Sequence, residues 1–153
     1  MGIAIFATIL TPLVRSQTPP PDGIPSHVRQ TGTCLQRIWD TSLEPGDKMM
    51  TELVLWDYLI IPFLSGNPDS VLLDRKAEYE FNAGSPQFAA DNVSVFDMDS
   101  DALAQYLEAN QIHAVVIRHI SDRGQLPASM MSVFENEVYT IYLQPDRPSP
   151  HCQ

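Results

Sequence analysis

Hydrophobic residues recur at helical spacing early in the chain and in nearly unbroken runs later. Between residues 27 and 43 the apolar positions fall mainly three, four or seven apart, which predicts an amphipathic helix. Pro45 and Gly46 follow it and predict a tight turn. Residues 48–55 are almost continuously apolar, as in a strand with both faces covered. This region therefore predicts a helix that packs beside a buried strand.

The next stretch predicts a compact strand, helix and strand. A short helix begins at about Asp57, turn-forming residues occupy 66–69, and residues 70–73 suit a second strand. Three such elements in so short a segment are typical of a βαβ-like unit. Residues 75–92 show neither helical nor strand periodicity and predict a long loop, and residues 93–96 predict a short strand.

The second half of the chain predicts another crossover. Acidic residues from Asp97 onward can cap a helix over 101–110, and the β-branched run 112–118 is the best strand candidate. A short helix is expected around 128–133, and a hairpin follows from Val133 to Leu143. The predicted fold class is α/β: a small three-layer sandwich with a mixed, mainly parallel sheet and a C-terminal β-hairpin.

The pattern divides the chain into four parts. Residues 1–15 form an apolar segment, 16–26 a Pro-rich linker, 27–144 a single α/β domain and 145–153 a disordered tail. The apolar run is shorter than the roughly 20 residues that span a bilayer. It suits a buried first element, an interfacial anchor or the stub of a transmembrane helix, and the polar, proline-rich spacer after it favours the stub.

Net charge limits the expected partners, and the cysteine content bears on disulfides and metal sites. The formal net charge of −10 repels phosphate backbones and excludes nucleic acid as an expected partner. The two cysteines, Cys34 and Cys152, match neither a disulfide framework nor a metal-ligand spacing. They are interpreted as two unrelated thiols, with a link between chains through Cys152 left open in an oxidising compartment.

Candidate ligand-binding residues are few. Asp57, Asp74 and Arg75 lie near the ends of the first βαβ-like unit, where open α/β sheets bind ligands. The alternative is structural: Asp57 caps a helix, and Asp74 pairs with Arg75 or with a backbone amide. The sequence shows no catalytic residue and no cofactor motif. It also shows no metal site, because His113 and His119 have no third ligand nearby in sequence.

Several segments resemble the C-terminal extracytoplasmic domain of bacterial polytopic GT-C type membrane glycosyltransferases, which are related to protein mannosyltransferases. The resemblance covers residues 34–75 and 99–143. It is carried by a helix ending in LEPGD at Leu43, by WDY at Trp56 ahead of SGNP, and by LAQYL leading into IHAVVI, followed by VFENEVY. In that family this domain follows the last transmembrane helix, which suits the apolar segment and linker.

The resemblance implies a non-catalytic interaction or acceptor-recognition domain on the periplasmic side of the membrane. The family's catalytic residues lie between transmembrane helices that this chain does not contain, so none can be assigned here. The expected partners are a membrane-embedded protein region and, through residues 1–15, the membrane itself. The alternative is a membrane-tethered accessory subunit of a larger complex, and a small soluble hydrolase or ligand-binding protein has the least support.

Overall fold

The computed structural model describes residues 23–53, 55–74, 94–119, 126 and 129–152. Three helices and five strands make up the described fold, and single turns of 3-10 helix occur at Pro68–Ser70 and Val95–Asp97. The elements in chain order are α1 (Ser26–Thr41), β1 (Lys48–Thr51), α2 (Leu55–Leu64), β2 (Val71–Leu73), α3 (Ser100–Ala109), β3 (Ile112–Arg118), β4 (Met131–Glu135) and β5 (Tyr139–Leu143).

The five strands form one mixed sheet in the order β2-β1-β3-β5-β4. β1 pairs in parallel with both β2 and β3, while β5 runs antiparallel to β3 and to β4. Every strand except β5 therefore points the same way. The mixed, mainly parallel sheet and the C-terminal hairpin of β4 and β5 confirm the predicted fold class.

Helices cover both faces of the sheet and form the outer layers of a sandwich. Met49 and its sheet neighbours pack against Leu35 and Ile38 of α1 and Ile61 of α2. On the opposite face, Met50 belongs to a second cluster, which includes Leu103 and Leu107 of α3. Because successive strand residues point to opposite faces, the adjacent Met49 and Met50 serve one core each.

Helices α1 and α2 approach each other closely at Gly32. A Cβ atom at this position would lie 2.5 Å from Cβ of Leu64, so only glycine fits without moving a helix. His27 contacts Asp57 near the starts of the two helices, and Trp39 lies beside residues 65–67 near their ends. The two helices therefore run in the same direction.

Two local predictions are wrong. Residues 95 and 96, from the strand expected at 93–96, lie in the 3-10 turn Val95–Asp97, where the Ser94 hydroxyl accepts a hydrogen bond from the Phe96 amide at 3.1 Å. The helix expected around 128–133 is replaced from Met131 onward by β4, because these residues pair with β5. The loop predicted for residues 75–92 lies outside the described residues.

Residues 145–152, here called the C-terminal strap, lie against α1 and the turn after it. Cys152 forms a disulfide with Cys34, which corrects the interpretation of two unrelated thiols. The Ser42 hydroxyl donates to the Pro148 carbonyl and the Arg37 guanidinium to the His151 carbonyl, both at 2.6 Å. The sequence predicted a disordered tail here. In the structure the strap is held against α1 by the disulfide and by these two hydrogen bonds.

Among the described residues, no helix is both long enough and apolar enough to cross a bilayer. The apolar segment 1–15 and most of the predicted linker lie outside the described residues.

Candidate functional site

The carboxyl ends of β1, β2 and β3 meet at one edge of the sheet, here called the carboxyl edge. Glu52 and Asp74 follow β1 and β2 directly, and His119 follows β3. Because β5 runs in the opposite direction, its first residue, Tyr139, arrives at the same edge. This is the place where open α/β sheets bind ligands, and Asp57, at the start of α2, lies there too.

Asp57 is the centre of a contact between three elements. It occupies the first turn of α2, where a negative charge is favourable to the helix dipole. The Tyr139 hydroxyl donates to Oδ2 of Asp57 at 2.6 Å, and Nε2 of His27 lies 3.4 Å from the same oxygen. One carboxylate therefore joins α1, α2 and β5.

The electrostatics of this contact keep Tyr139 protonated. Burial of the side chain is the main cause that raises the pKa of Tyr139 far above its usual value, and the hydrogen bond to Asp57 adds to it. The charge of Asp57 and that of Glu52 raise the pKa further, while the nearby Arg118 guanidinium opposes the rise. Tyr139 is therefore a neutral hydrogen-bond donor at physiological pH, not a base or a nucleophile.

Asp74 has a structural partner. Its side chain is fully buried, and Oδ1 accepts a hydrogen bond from the Val95 amide at 2.9 Å. Its own amide donates to the Thr51 carbonyl at 2.8 Å. Asp74 thus fixes the 3-10 turn ahead of α3 to the end of β1, in line with the backbone-amide alternative for this residue. Arg75, the third candidate from the sequence, lies outside the described residues.

Glu52 also contacts the backbone at the carboxyl edge. It is almost fully buried, and its Oε2 accepts a hydrogen bond from the Arg118 amide at 3.0 Å. The Glu52 amide donates to the Val116 carbonyl at 3.0 Å. The carboxylate therefore extends the pairing between β1 and β3 beyond the last paired residues.

The turn between β4 and β5 connects the edge to α1 through Asn136. Its Nδ2 donates to the His27 carbonyl at 3.2 Å and to the Thr31 hydroxyl at 3.0 Å. Its Oδ1 accepts from the amides of Val138 and Tyr139, both at 2.9 Å. Both hydrogen bonds that this amide oxygen can accept are thus formed within the protein. The two bonds donated by Nδ2 fix the hairpin to α1.

Among the described residues, the structure places the candidates Asp57 and Asp74 at one edge of the sheet, and it adds two others. Asp57 and Asp74 both lie at the carboxyl edge, although in separate contacts. Sequence reasoning missed His27 and Tyr139, the two partners of Asp57. The signal for Tyr139 is its place at the start of β5, which becomes informative only once β5 is known to run antiparallel beside β3.

The opposite edge of the sheet carries a second polar cluster around the buried Asp47. Its Oδ1 lies 3.3 Å from Nε2 of His113, and its Oδ2 lies 3.1 Å from Nη2 of Arg147. His113 also contacts Oε1 of Gln144 through Nδ1 at 2.7 Å. This cluster joins the start of the strap to the sheet, and it places His113 at the far end of β3 from His119.

The part of the chain that the structure describes holds no group of three His, Cys, Asp or Glu side chains arranged to bind a metal ion. In the acidic stretch that begins at Asp97, the side chain of Asp99 accepts a hydrogen bond from the Ala102 amide at 2.9 Å. Asp99 is the N-cap of α3, as the capping interpretation of this run predicted.

These features define the class of the protein as an α/β sandwich whose polar side chains at the carboxyl edge contact one another and the backbone. Comparison of the chain with protein-family models, with curated proteins and with solved structures gives no match.

Proposed function

We propose that this chain is a non-catalytic extracytoplasmic domain that binds a membrane-embedded protein region, as an interaction or acceptor-recognition domain of a membrane glycosyltransferase that uses lipid-linked sugar. The observation that carries the proposal is the disulfide between Cys34 and Cys152. Structural disulfides form and persist in oxidising compartments, such as the periplasm, and are rare in the cytosol. The bond therefore supports an extracytoplasmic site for the folded domain.

The chemistry at the carboxyl edge supports a non-catalytic role. A general base or nucleophile needs a side chain that can reach a substrate and change its protonation state near neutral pH. Tyr139 is buried and held neutral, and Asp74 is buried against a backbone amide. Asp57 accepts the hydrogen bond of Tyr139. The hydrogen bonds of Tyr139, Asp74 and Asp57 thus have a structural role in the fold.

An exposed apolar pair on α2 supports the binding role. Leu59 and Phe63 are 39% and 74% exposed, and their spacing of four residues places them on the same side of the helix. Exposed apolar side chains that lie together favour contact with a protein or membrane surface. The proposal assigns this pair to the contact with the membrane-embedded partner.

The oxidation state of the cysteines in the producing cells tests the proposed location. Thiols are trapped with a maleimide-linked polymer when the cells are lysed, with and without prior reduction, and the full chain is examined by gel shift. We expect no labelling before reduction and two labels after it. Two labels without reduction would contradict an extracytoplasmic location.

Cross-linking tests the proposed partner. A photoreactive residue at Phe63 in the full chain is compared with one at Met131, which is also exposed but lies on β4, a different element of the fold. We expect Phe63 alone to capture a protein with several membrane spans. Its identification as a glycosyltransferase would distinguish the proposed role from that of an accessory subunit of another complex. Equal capture at both positions, or capture of soluble proteins alone, would overturn the binding role, and sugar transfer by the purified chain would overturn the non-catalytic one.

A further inference from the structure

A groove of about 430 Å³ lies between the end of α1 and the turn that follows α2. We call it the Trp39 groove. Its α1 wall consists of Gln36, Trp39 and Asp40, which are three and four positions apart and therefore share one side of the helix. Its volume falls within the roughly 300–1,000 Å³ of typical ligand pockets. The side chains that matter for its chemistry are Gln36, Trp39, Asp40, Glu44 and Asn67.

The wall opposite α1 is held in place before any ligand binds. Gly66 has a φ of +78°, which glycine adopts readily, and its amide donates to the Phe63 carbonyl at 3.1 Å. The Ser65 hydroxyl donates to the Pro62 carbonyl at 2.6 Å and accepts from the Asn67 amide at 3.4 Å. The turn is thus fixed by its own hydrogen bonds, which leaves the Asn67 side chain at the groove.

The polar side chains around the groove differ from those of the carboxyl edge in having few partners. Within the described residues, Gln36, Asp40 and Asn67 form no side-chain hydrogen bond or ion pair. Glu44 lies 3.5 Å from Nη1 of Arg147, but its side chain is 77% exposed, so water and salt screen that pair strongly. The groove therefore presents two carboxylates and two amides that are available to a ligand.

The charge of the groove selects the class of ligand. No lysine or arginine is among its lining residues, and the whole chain carries a formal net charge of −10. An anionic ligand would meet two carboxylates, and the Arg147 guanidinium near Glu44 is already paired with the buried Asp47, whereas a cation is attracted at long range and at the site. The ring of Trp39 adds a surface on which a cation can stack.

We propose that the Trp39 groove binds an arginine side chain of a partner polypeptide. A guanidinium group is planar, so it can stack on the indole of Trp39 while its five N–H groups donate to Asp40, Glu44 and the amide oxygens beside them. This assignment rests on the proposed interaction function only in taking the partner to be a protein. The groove and the exposed apolar pair Leu59 and Phe63 use different side chains and can be tested separately.

Binding is tested with the full chain and a short peptide of known charge. The isotope-labelled protein is titrated with acetyl-Gly-Arg-Gly-amide, and the amide and indole N–H resonances are followed by NMR. The matched ligand is the same peptide with citrulline, which keeps the shape of arginine but has no charge. We expect the arginine peptide to shift the resonances of Trp39, Asp40 and Asn67, and the citrulline peptide to shift them far less.

Matched variants separate the groove from general attraction to an acidic protein. Asp40→Asn and Asp101→Asn remove the same charge from exposed positions, but Asp101 lies on α3, on the other side of the sheet. We expect Asp40→Asn to weaken binding about threefold, the effect of losing one exposed ion pair, and Asp101→Asn to leave it unchanged. Both variants should retain the wild-type spectrum away from the substitution, because neither side chain is buried.

Three results would overturn the proposal. Equal weakening by the two variants would mean that only the net charge attracts the peptide. An equal response to arginine and citrulline would exclude recognition of the cation. Shifts at the groove produced by methyl glycosides and not by the arginine peptide would identify the groove as a saccharide site. A failed peptide titration with intact cross-linking at Phe63 would remove the groove assignment and leave the proposed function standing.

Discussion

The Tyr139 hydroxyl and the Asp57 carboxylate form a 2.6 Å hydrogen bond between residues 82 positions apart in the chain. Tyr139 is fully buried at the start of β5, and Asp57 lies in the first turn of α2. The bond therefore joins the antiparallel part of the sheet to a helix of the first crossover. A hydrogen bond to a charged acceptor is stronger than one between neutral groups.

Removing this hydroxyl should destabilise the fold. For Tyr139→Phe we expect the free energy of unfolding to fall by about 1–3 kcal/mol, because a charge-assisted hydrogen bond is lost and Asp57 keeps one partner fewer. Urea unfolding followed by circular dichroism measures the change. Tyr142→Phe is the matched control on the same strand; Tyr142 is half-buried, and we expect a change within about 0.5 kcal/mol. Equal losses in both variants would contradict the assigned role of the hydroxyl.

The raised pKa of Tyr139 predicts a loss of stability at alkaline pH. In the unfolded chain tyrosine loses its proton near pH 10, whereas in the folded protein Tyr139 retains it to a higher pH. The folded state therefore binds more protons above pH 10, so its stability is unaffected below that pH and falls above it, by about 1.4 kcal/mol per pH unit for one proton. Urea unfolding between pH 9 and 11.5 should show this slope in the wild type. A slope of the same size in Tyr139→Phe would assign it to another group.

The disulfide should contribute a large part of the stability. It closes a loop between residues 118 positions apart, for which the chain-entropy argument gives a contribution of about 5 kcal/mol. We expect Cys152→Ser, and the wild type with dithiothreitol, to unfold at much lower urea concentration than the oxidised protein. The double variant Cys34→Ala with Cys152→Ala serves as control and should not respond to reductant. A wild type equally stable with and without reductant would contradict this prediction.

Gly32→Ala should destabilise the contact between α1 and α2. Alanine favours a helix over glycine by about 1 kcal/mol, but its Cβ would lie 2.5 Å from Cβ of Leu64, so the helices must separate. We expect a net loss of about 1–3 kcal/mol, as in other overpacked cores. Thr33→Ala at the adjacent, exposed position should be neutral or stabilising. Thermal unfolding compares the stability of the two variants. A Gly32→Ala protein more stable than the wild type would contradict the close approach of α1 and α2 at this position.

The sequence predicted the elements that have strong local patterns. The helix ending before Pro45 and the strand 112–118 are present because apolar spacing and β-branched content reflect burial directly. Residues 131–135 were partly assigned to a helix because their strand conformation depends on pairing with β5. The 3-10 turn at Val95 likewise depends on a distant partner, the buried carboxylate of Asp74.

The candidate site was harder to predict because its residues are distant in sequence. Asp57 was identified from its position after a strand, which is a local property. Its partners His27 and Tyr139 come from the first helix and the last strand, and their proximity follows from the strand order of the sheet. The pairing of Cys34 with Cys152 was missed for the same reason, since sequence spacing gave no sign that the strap returns to α1.

The position of the disulfide constrains the order of events during biosynthesis. Every described strand, together with α2 and α3, lies between Cys34 and Cys152, so the bond cannot form until all five strands have been synthesised. Cys34 must stay free of any other partner until Cys152 has been synthesised, and in the folded protein its buried position limits the access of foreign thiols. Covalent closure therefore follows the synthesis of the whole described sheet.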